Sequence, residues 1–250
     1  MKILMLSWEY PHKNLSRISD QIYYLSNSLK NLGHEVHIIT CFQENKLLDE
    51  DDLGLSMHRV IPYSINTEDF TKSIMHFNYA VIESAVKLIN EVGRFDIIHA
   101  YDWRTAYAAK LIKGVYSIPM ICTINDTEHG RNGGIRTEVQ SYISSIEWML
   151  TYESWKVITC SNYEKEEINK VLSVPENKIF IVPNEVKEDY TWDIIALNTI
   201  KVYEMVKKEA KGTEWGIIKE KPKKKSNTSA RKRKKEDVLE VLEEKAKSNL

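Results

Sequence analysis

Residues 1–40, MKILMLSWEYPHKNLSRISDQIYYLSNSLKNLGHEVHIIT, decide how the rest of the chain is read. Residues 3–6 are a short apolar run of the kind buried as a strand. Ile18, Ile22, Leu25, Leu29 and Leu32 then recur at helical spacing up to Gly33, the residue type that ends helices in a left-handed conformation. Residues 36–40 are a second apolar run, and strand, helix and strand in succession make a βαβ unit. Outward from it the same rhythm continues. Short apolar runs stand at 57–61, 95–99, 120–123, 156–160 and 178–182, and Phe70, Ile74, Phe77, Val81, Ala85, Leu88 and Val92 form one stripe of a long helix. Strands alternating with helices predict an α/β chain with a single doubly wound, mostly parallel sheet covered on both faces. After Pro183-Asn184 the rhythm stops and one helical pattern runs over residues 191–210. Trp192, Ile195, Thr199, Val202 and Val206 fall on one side of it, so this helix is expected to pack on the sheet-bearing body.

With 250 residues and 42% of them hydrophobic, the chain can bury one sizeable core. Its net charge of −1 conceals an uneven distribution: residues 219–250 carry 12 Lys and Arg against 6 Asp and Glu, leaving 23 against 30 in residues 1–218. Three segments follow: a body at 1–188, a docking helix at 189–218, and a basic tail at 219–250. The tail is expected to be disordered, with a short helix available over 237–250. Such a run is a candidate for weak polyanion binding, though it lacks interleaved aromatics for base stacking. The apolar residues 1–6 are too few for a secretory leader and no stretch is long enough to span a bilayer, so a cytoplasmic protein is expected. Cys41, Cys122 and Cys160 show no metal-ligand spacing and are expected as buried free thiols. No metal or cofactor is implied.

In an open α/β sheet, ligands bind beyond the carboxyl ends of the strands. Three segments occupy such places: Ser7-Trp8-Glu9-Tyr10-Pro11, His99-Ala100-Tyr101-Asp102-Trp103, and residues 125–134, NDTEHGRNGG. Each residue has a structural reading beside a functional one. Asp102 can cap a helix beginning at Trp103, Ser16 or Ser19 can cap the first helix, and His99 can be a satisfied core histidine. Gly133 and Gly134 suit an anion site at a helix N-terminus, and the glutamates suit ordinary helix-surface ion pairs.

Six segments, MKILMLSWEYP, LGHEVHIIT, FDIIHAYDW, ICTINDTEHGRNGG, SIEWMLTYESWKVITCS and VPENKIFIVPN, resemble, in order, landmarks of the GT-B glycosyltransferases related to glycogen and starch synthases. The resemblance covers about residues 1–184 and implies the first of two Rossmann-like domains. In that family the first domain binds the acceptor, the second holds the nucleotide-sugar, and sugar transfer takes place between them. It implies cleft roles for Trp8, Glu9, Tyr10, His99, Asp102, Trp103, Asn125, Glu128, Arg131, Gly133, Gly134 and Glu147. Departures accompany the matches. Ser16-Arg17 stands where the family has a glycine pair, Tyr101 replaces a histidine, and Asn125 replaces another histidine and cannot carry a proton near neutrality. After residue 184 the donor-binding domain is not encountered, and residues 190–196, YTWDIIA, resemble the family's final helix.

Sugar transfer needs electrostatic stabilisation of the leaving diphosphate, and no lysine–arginine clamp is legible in the body. The expectation is therefore a glycosyltransferase-like chain that is inactive alone, either a truncated relative that no longer catalyses or a module that binds a glycan acceptor and works with a separately encoded donor-binding domain. The alternative is a non-enzymatic acceptor-binding or scaffold protein whose basic tail binds a polyanion.

Overall fold

A computed structural model describes residues 1–10, 17–42, 49–52, 55–63, 69–187 and 190–215. Eight strands form one sheet: β1 (Lys2–Leu6), β2 (Glu35–Cys41), β3 (Asp49–Asp52), β4 (Leu55–Val60), β5 (Ile97–Tyr101), β6 (Met120–Thr123), β7 (Lys156–Thr159) and β8 (Ile179–Ile181). Their order is β3-β4-β2-β1-β5-β6-β7-β8, and every neighbouring pair is parallel except β3 with β4. The predicted α/β, doubly wound, mostly parallel sheet is thus the observed one. The acidic edge strand β3 was not expected, because Asp and Glu are poor strand formers. Its pairing with β4, Glu50 opposite Met57, supplies what its composition does not.

Both faces of the sheet are covered, and adjacent residues of β1 serve opposite layers. Leu4 and Leu6 join the core beneath α2 (Phe70–Val92), α3 (Ala106–Tyr116), α5 (Glu138–Glu153) and α6 (Asn162–Leu172). Ile3 and Met5 join the core beneath α1 (Arg17–Asn31) and α7 (Trp192–Ala210). A strand buried on two faces has no polar side to show, which explains the continuous apolar runs. The helices start at side-chain caps where the sequence offers them. Asp69 Oδ1 accepts from the amides of Thr71 and Lys72, and Thr137 with Gln140 forms a capping box at α5. The α2 stripe is buried from Ile74 to Ile89, whereas its ends Phe70 and Val92 are exposed. Leu32 lies beyond the end of α1 and is exposed as well.

Helix α7 docks as its spacing requires. Ile195, Thr199, Val202 and Val206 are buried and Trp192 is half-buried, its ring stacked on Tyr24 of α1 at 5.2 Å. Tyr203 is also fully buried, which the stripe did not include. Beyond α7 the chain returns to the lower end of the sheet. Arg94 Nη2 donates to the Trp215 carbonyl at 2.6 Å, and Lys113 Nζ lies 5.1 Å from the Trp215 ring centre. Residues 219–250, to which the disordered-tail and short-helix expectations apply, lie outside the described residues, as does Ser16. Ser19 is buried within α1 and so does not cap it. Cys122 is buried, but Cys41 and Cys160 are only half-buried, a correction to the expectation of three buried thiols. Cys160 gives its S–H to the Glu164 carboxylate at 2.9 Å. Among the described residues no helix is long and apolar enough to cross a membrane.

Candidate functional site

The strand order reverses between β1 and β5, since the chain builds outward from β1 toward β2 and later from β1 toward β5. In such sheets ligands bind in a crevice at this point, beyond the carboxyl ends of the strands, and a small hollow opens there between Tyr101, Asp102, Asn125 and Asp126. The loop leaving β1 turns on Ser7, whose Oγ accepts from the Glu9 amide at 3.1 Å and donates to the Glu9 carbonyl at 2.7 Å. The loop leaving β5 turns on Asp102, at φ 65° and ψ 163°. Positive φ is costly for a residue with a Cβ, and such strain collects at functional positions. Asp102 precedes a 3₁₀ turn (Trp103–Thr105), yet its side chain makes no capping bond, so the capping reading is corrected. Its carboxylate instead meets Arg104 Nη1 at 3.1 Å, and the same nitrogen lies 3.4 Å from Glu9 Oε1. Arg104 thereby ties the two loops together.

A second constellation stands beside the first. The short helix α4 (Glu128–Asn132) starts at Thr127, whose Oγ1 accepts from the Gly130 amide. Arg131 gathers three carboxylates: Glu128 at 2.9 Å, Glu147 at 2.8 Å and Asp126. Both oxygens of Glu147 accept from the Glu128 amide at 2.9 Å. Glu147 is fully buried on α5, which corrects the surface-pair reading for this residue. Burial pushes its carboxyl up to about 7, against the pull of the Glu128 amide and Arg131. Burial opposes the charge on Arg131, but Glu128, Asp126, Glu147 and Asp102 together hold it firmly protonated. Asp102 is also raised by burial, while Arg104 and Arg131 pull it down and Asp126 pushes it up.

Asn125 completes the crevice. Its Nδ2 donates to Gln21 Oε1 of α1 at 2.9 Å, and its Oδ1 is buried with no hydrogen-bond partner. Tyr101 Oη is in the same condition, and both residues line one small hollow with Asp102, Thr123 and Asp126. Asparagine and tyrosine here offer neutral hydrogen-bonding atoms where the resembling enzymes have imidazoles.

Other expected cleft residues take part in packing within the body. His99 is buried beneath α7, with Nδ1 2.7 Å from Tyr203 Oη and Nε2 2.7 Å from Thr123 Oγ1. Burial lowers its affinity for a proton to about 3, so it is neutral and unavailable to ligands. Trp103 is buried, and Trp8 packs edge-on against Phe77 at 4.9 Å. Tyr10 is buried against Tyr23. Gly133 and Gly134 end α4 rather than begin a helix: Gly133 has φ 59° and Gly134 φ 126°, and the Gly134 amide donates to the His129 carbonyl. No helix N-terminus therefore stands at the glycines, and the anion-site reading fails. Exposed His129 lines a separate hollow between α4 and α6. Arg104 and Gln21 were missed in the sequence, since neither has a spacing that marks it.

A model of Glycosyltransferase Family 4 matches residues 18–190. An uncharacterized glycosyltransferase of Methanocaldococcus jannaschii is 32% identical over 185 residues, covering 74% of this chain and 46% of that protein. The glycogen synthase of Mycobacterium tuberculosis is 28% identical over 201 residues, covering 74% of this chain and 48% of that protein. The chain thus spans about half the length of the curated relatives it matches. Among solved structures, a sucrose-phosphate synthase chain from Thermosynechococcus elongatus superposes with TM-score 0.58 at 15% identity, covering 82% of this chain and 98% of that one. The catalytic domain of starch synthase IV from Arabidopsis thaliana, bound to ADP and acarbose, superposes with TM-score 0.52 at 16% identity, covering 75% of this chain and 52% of that one. These structures share the fold, while the family match over more than half the sequence settles membership: the chain belongs to glycosyltransferase family 4.

Proposed function

We propose that the crevice between the ends of β1 and β5 binds a glycan acceptor, and that these 250 residues form the acceptor side of a transferase using a nucleotide-sugar. The observation that carries this reading is electrostatic. Arg104 is engaged by Asp102 and Glu9, and Arg131 by Asp126, Glu128 and Glu147. Neither guanidinium is left to grip a leaving diphosphate, which is usually the largest requirement of such chemistry. Tyr101 Oη and Asn125 Oδ1 are left without partners, and with the carboxylate oxygens they are acceptors that sugar hydroxyls match as donors. Family membership and the fold shared with glycan-elongating enzymes support the same reading. Ligand-facing roles are accordingly proposed for Glu9, Asp102 and Asn125, and supporting roles in the cleft for Glu128, Arg131 and the buried Glu147.

The 250-residue chain is expected to bind maltohexaose, seen as chemical-shift changes at Asn125 and Asp102, and not to transfer glucose from ADP-glucose or UDP-glucose to it. Turnover above a buffer blank that Asp102→Ala abolishes would sink the second claim, and absence of binding the first. The uneven charge favours a second reading, a scaffold whose residues 219–250 hold a polyanion. Heparin binding that weakens steeply between low and physiological salt, and disappears on deleting 219–250, would support it. Binding that survives the deletion would contradict it.

A further inference from the structure

Arg104 carries more structural investment than a surface arginine. Its backbone carbonyl accepts from Asn78 Nδ2 at 2.7 Å, and Asn78 Oδ1 in turn accepts from the Ala108 amide at 2.8 Å. Asn78 is buried, so the start of the side chain is pinned to α2 and α3. The guanidinium lies 5.9 Å from the ring centres of both Phe70 and Trp103, whose aromatic surfaces set its height in the crevice. Nε is buried without a hydrogen-bond partner, although a guanidinium has five N–H groups to satisfy. An arginine placed to maximise its own bonding would turn Nε toward an acceptor. This one instead has Nη1 directed between Asp102 and Glu9.

Asp102 needs such a partner. It stands on a positive-φ backbone, with its amide donating to the Thr123 carbonyl at 3.2 Å, so strain in the main chain sets where the carboxylate leaves the sheet. Only 14% of its side chain is exposed. The groups facing it are Arg104, Arg131, Asp126 and the Trp103 amide, with Glu147 coupled through Arg131. Among the described residues Arg104 is the cation in ion-pair contact with it, and the same nitrogen reaches the β1 loop through Glu9.

We infer that Arg104 is the positioning residue of the crevice: it locks the Asp102 carboxylate to Glu9 across the gap between the ends of β1 and β5, so that both present fixed acceptor oxygens to a ligand. This rests on the reading of the crevice as a glycan site. The geometry explains why one nitrogen is shared and another left unbonded. It also gives Arg104 a role that differs from fold maintenance, because a partly exposed ion pair adds little to stability.

The test compares the full chain with Arg104→Gln and Arg104→Lys. The Asp102 carboxyl is titrated by carbon-13 NMR, maltohexaose affinity is measured at neutral pH, and the unfolding midpoint is recorded. Removing the charge in Arg104→Gln should move the Asp102 titration upward and weaken maltohexaose on the order of tenfold, the worth of one hydrogen bond to a charged group. The unfolding midpoint should change little. Arg104→Lys should recover the titration but not the affinity, since an ammonium lacks the flat guanidinium surface that Phe70 and Trp103 hold at the height of the two carboxylates. An Asp102 titration unmoved by Arg104→Gln would overturn the inference, as would a loss of affinity matched by a general loss of stability. If the unaltered chain binds no maltohexaose, the glycan reading fails, while the Asp102 titration still decides whether Arg104 governs that carboxylate.

Discussion

Changing Tyr203 to Phe removes one oxygen from a buried side-chain contact, and the structure dictates the consequence. Tyr203 and His99 are both buried, and their bond of 2.7 Å joins α7 to the centre of the sheet. Neutral His99 has one N–H and one bare ring nitrogen, and each is met by a hydroxyl, from Tyr203 on one side and Thr123 on the other. Phenylalanine fills the same volume, so no cavity term enters. One ring nitrogen of His99 is instead stranded without water, which costs about 1–3 kcal/mol. A central value of about 2 kcal/mol corresponds to a fall of about 4–8 °C in the melting temperature of a body this size.

The assay is urea denaturation followed by tryptophan fluorescence, with Tyr203→Phe, His99→Leu and the double variant in one cycle. Because removing both partners leaves no orphaned polar atom on this pair, the double variant should lose clearly less than the sum of the single losses. Additive losses, or a Tyr203→Phe change within about 0.3 kcal/mol of zero, would show that the contact is not a coupled bond, since distant sites add within that margin.

Two further outcomes follow from the same packing and burial. Ending the chain after residue 187 uncovers the sheet face under Ile195, Val202, Tyr203 and Val206, each worth about 1.5–3 kcal/mol when buried, so the product should aggregate; a soluble product with an unchanged melting temperature would refute the docking account. Glu147 and His99 should oppose one another in the pH dependence of stability. Glu147, raised from 4.5 to about 7, stabilises the fold below its unfolded value and loses that contribution as pH rises to about 7. His99, lowered from 6.5 to about 3, makes the fold less stable as pH falls from 6.5 toward 3. Each slope is about 1.4 kcal/mol per pH unit, and they cancel between 4.5 and 6.5. Glu147→Gln should therefore acquire, relative to the unaltered chain, a stability that rises with pH across this window; denaturation midpoints with an unchanged pH profile would falsify the assignment.

The parts of this molecule legible in its sequence are those set by local periodicity. Seven of the strands are apolar runs of strand length, and the stripe from Ile195 to Val206 gave both the existence of α7 and its buried side. Strand β3 was invisible, because its stability comes from pairing with β4 rather than from its own residues. The site was less legible for a related reason. Arg104 lies two residues from Asp102 but reaches Glu9, 95 positions away, and Asn125 finds Gln21 across 104 positions. Glycine pairs show where the backbone departs from ordinary conformations, but Gly133 and Gly134 depart from it at the end of a helix. The spacing of Glu147 on α5 could not show that its carboxylate turns inward to α4. Apart from the glycines, these misreadings concern contacts between elements, which spacing within one element does not encode.

The electrostatics of the crevice also constrain what it can hold on the proposed reading. Glu9, Asp102, Asp126, Glu128 and Glu147 share two guanidiniums, those of Arg104 and Arg131. A proton retained on Glu147 relieves part of this excess, yet more carboxylates than cations remain. Bringing a phosphate oxygen to about 4 Å of one unneutralised carboxylate costs about 4 kcal/mol at the effective dielectric of a protein surface. That is roughly a thousandfold in affinity. A sugar hydroxyl at the same place is attracted instead, because its O–H donates to the carboxylate. The crevice is therefore selective by charge before any shape enters: it favours an uncharged polyhydroxylated ligand and rejects a free diphosphate. A nucleotide-sugar could approach only with its diphosphate directed away from Asp102 and Asp126 and toward cations supplied from outside this constellation. On the proposed reading, this charge count suits the constellation to a glycan rather than to the diphosphate of a nucleotide-sugar.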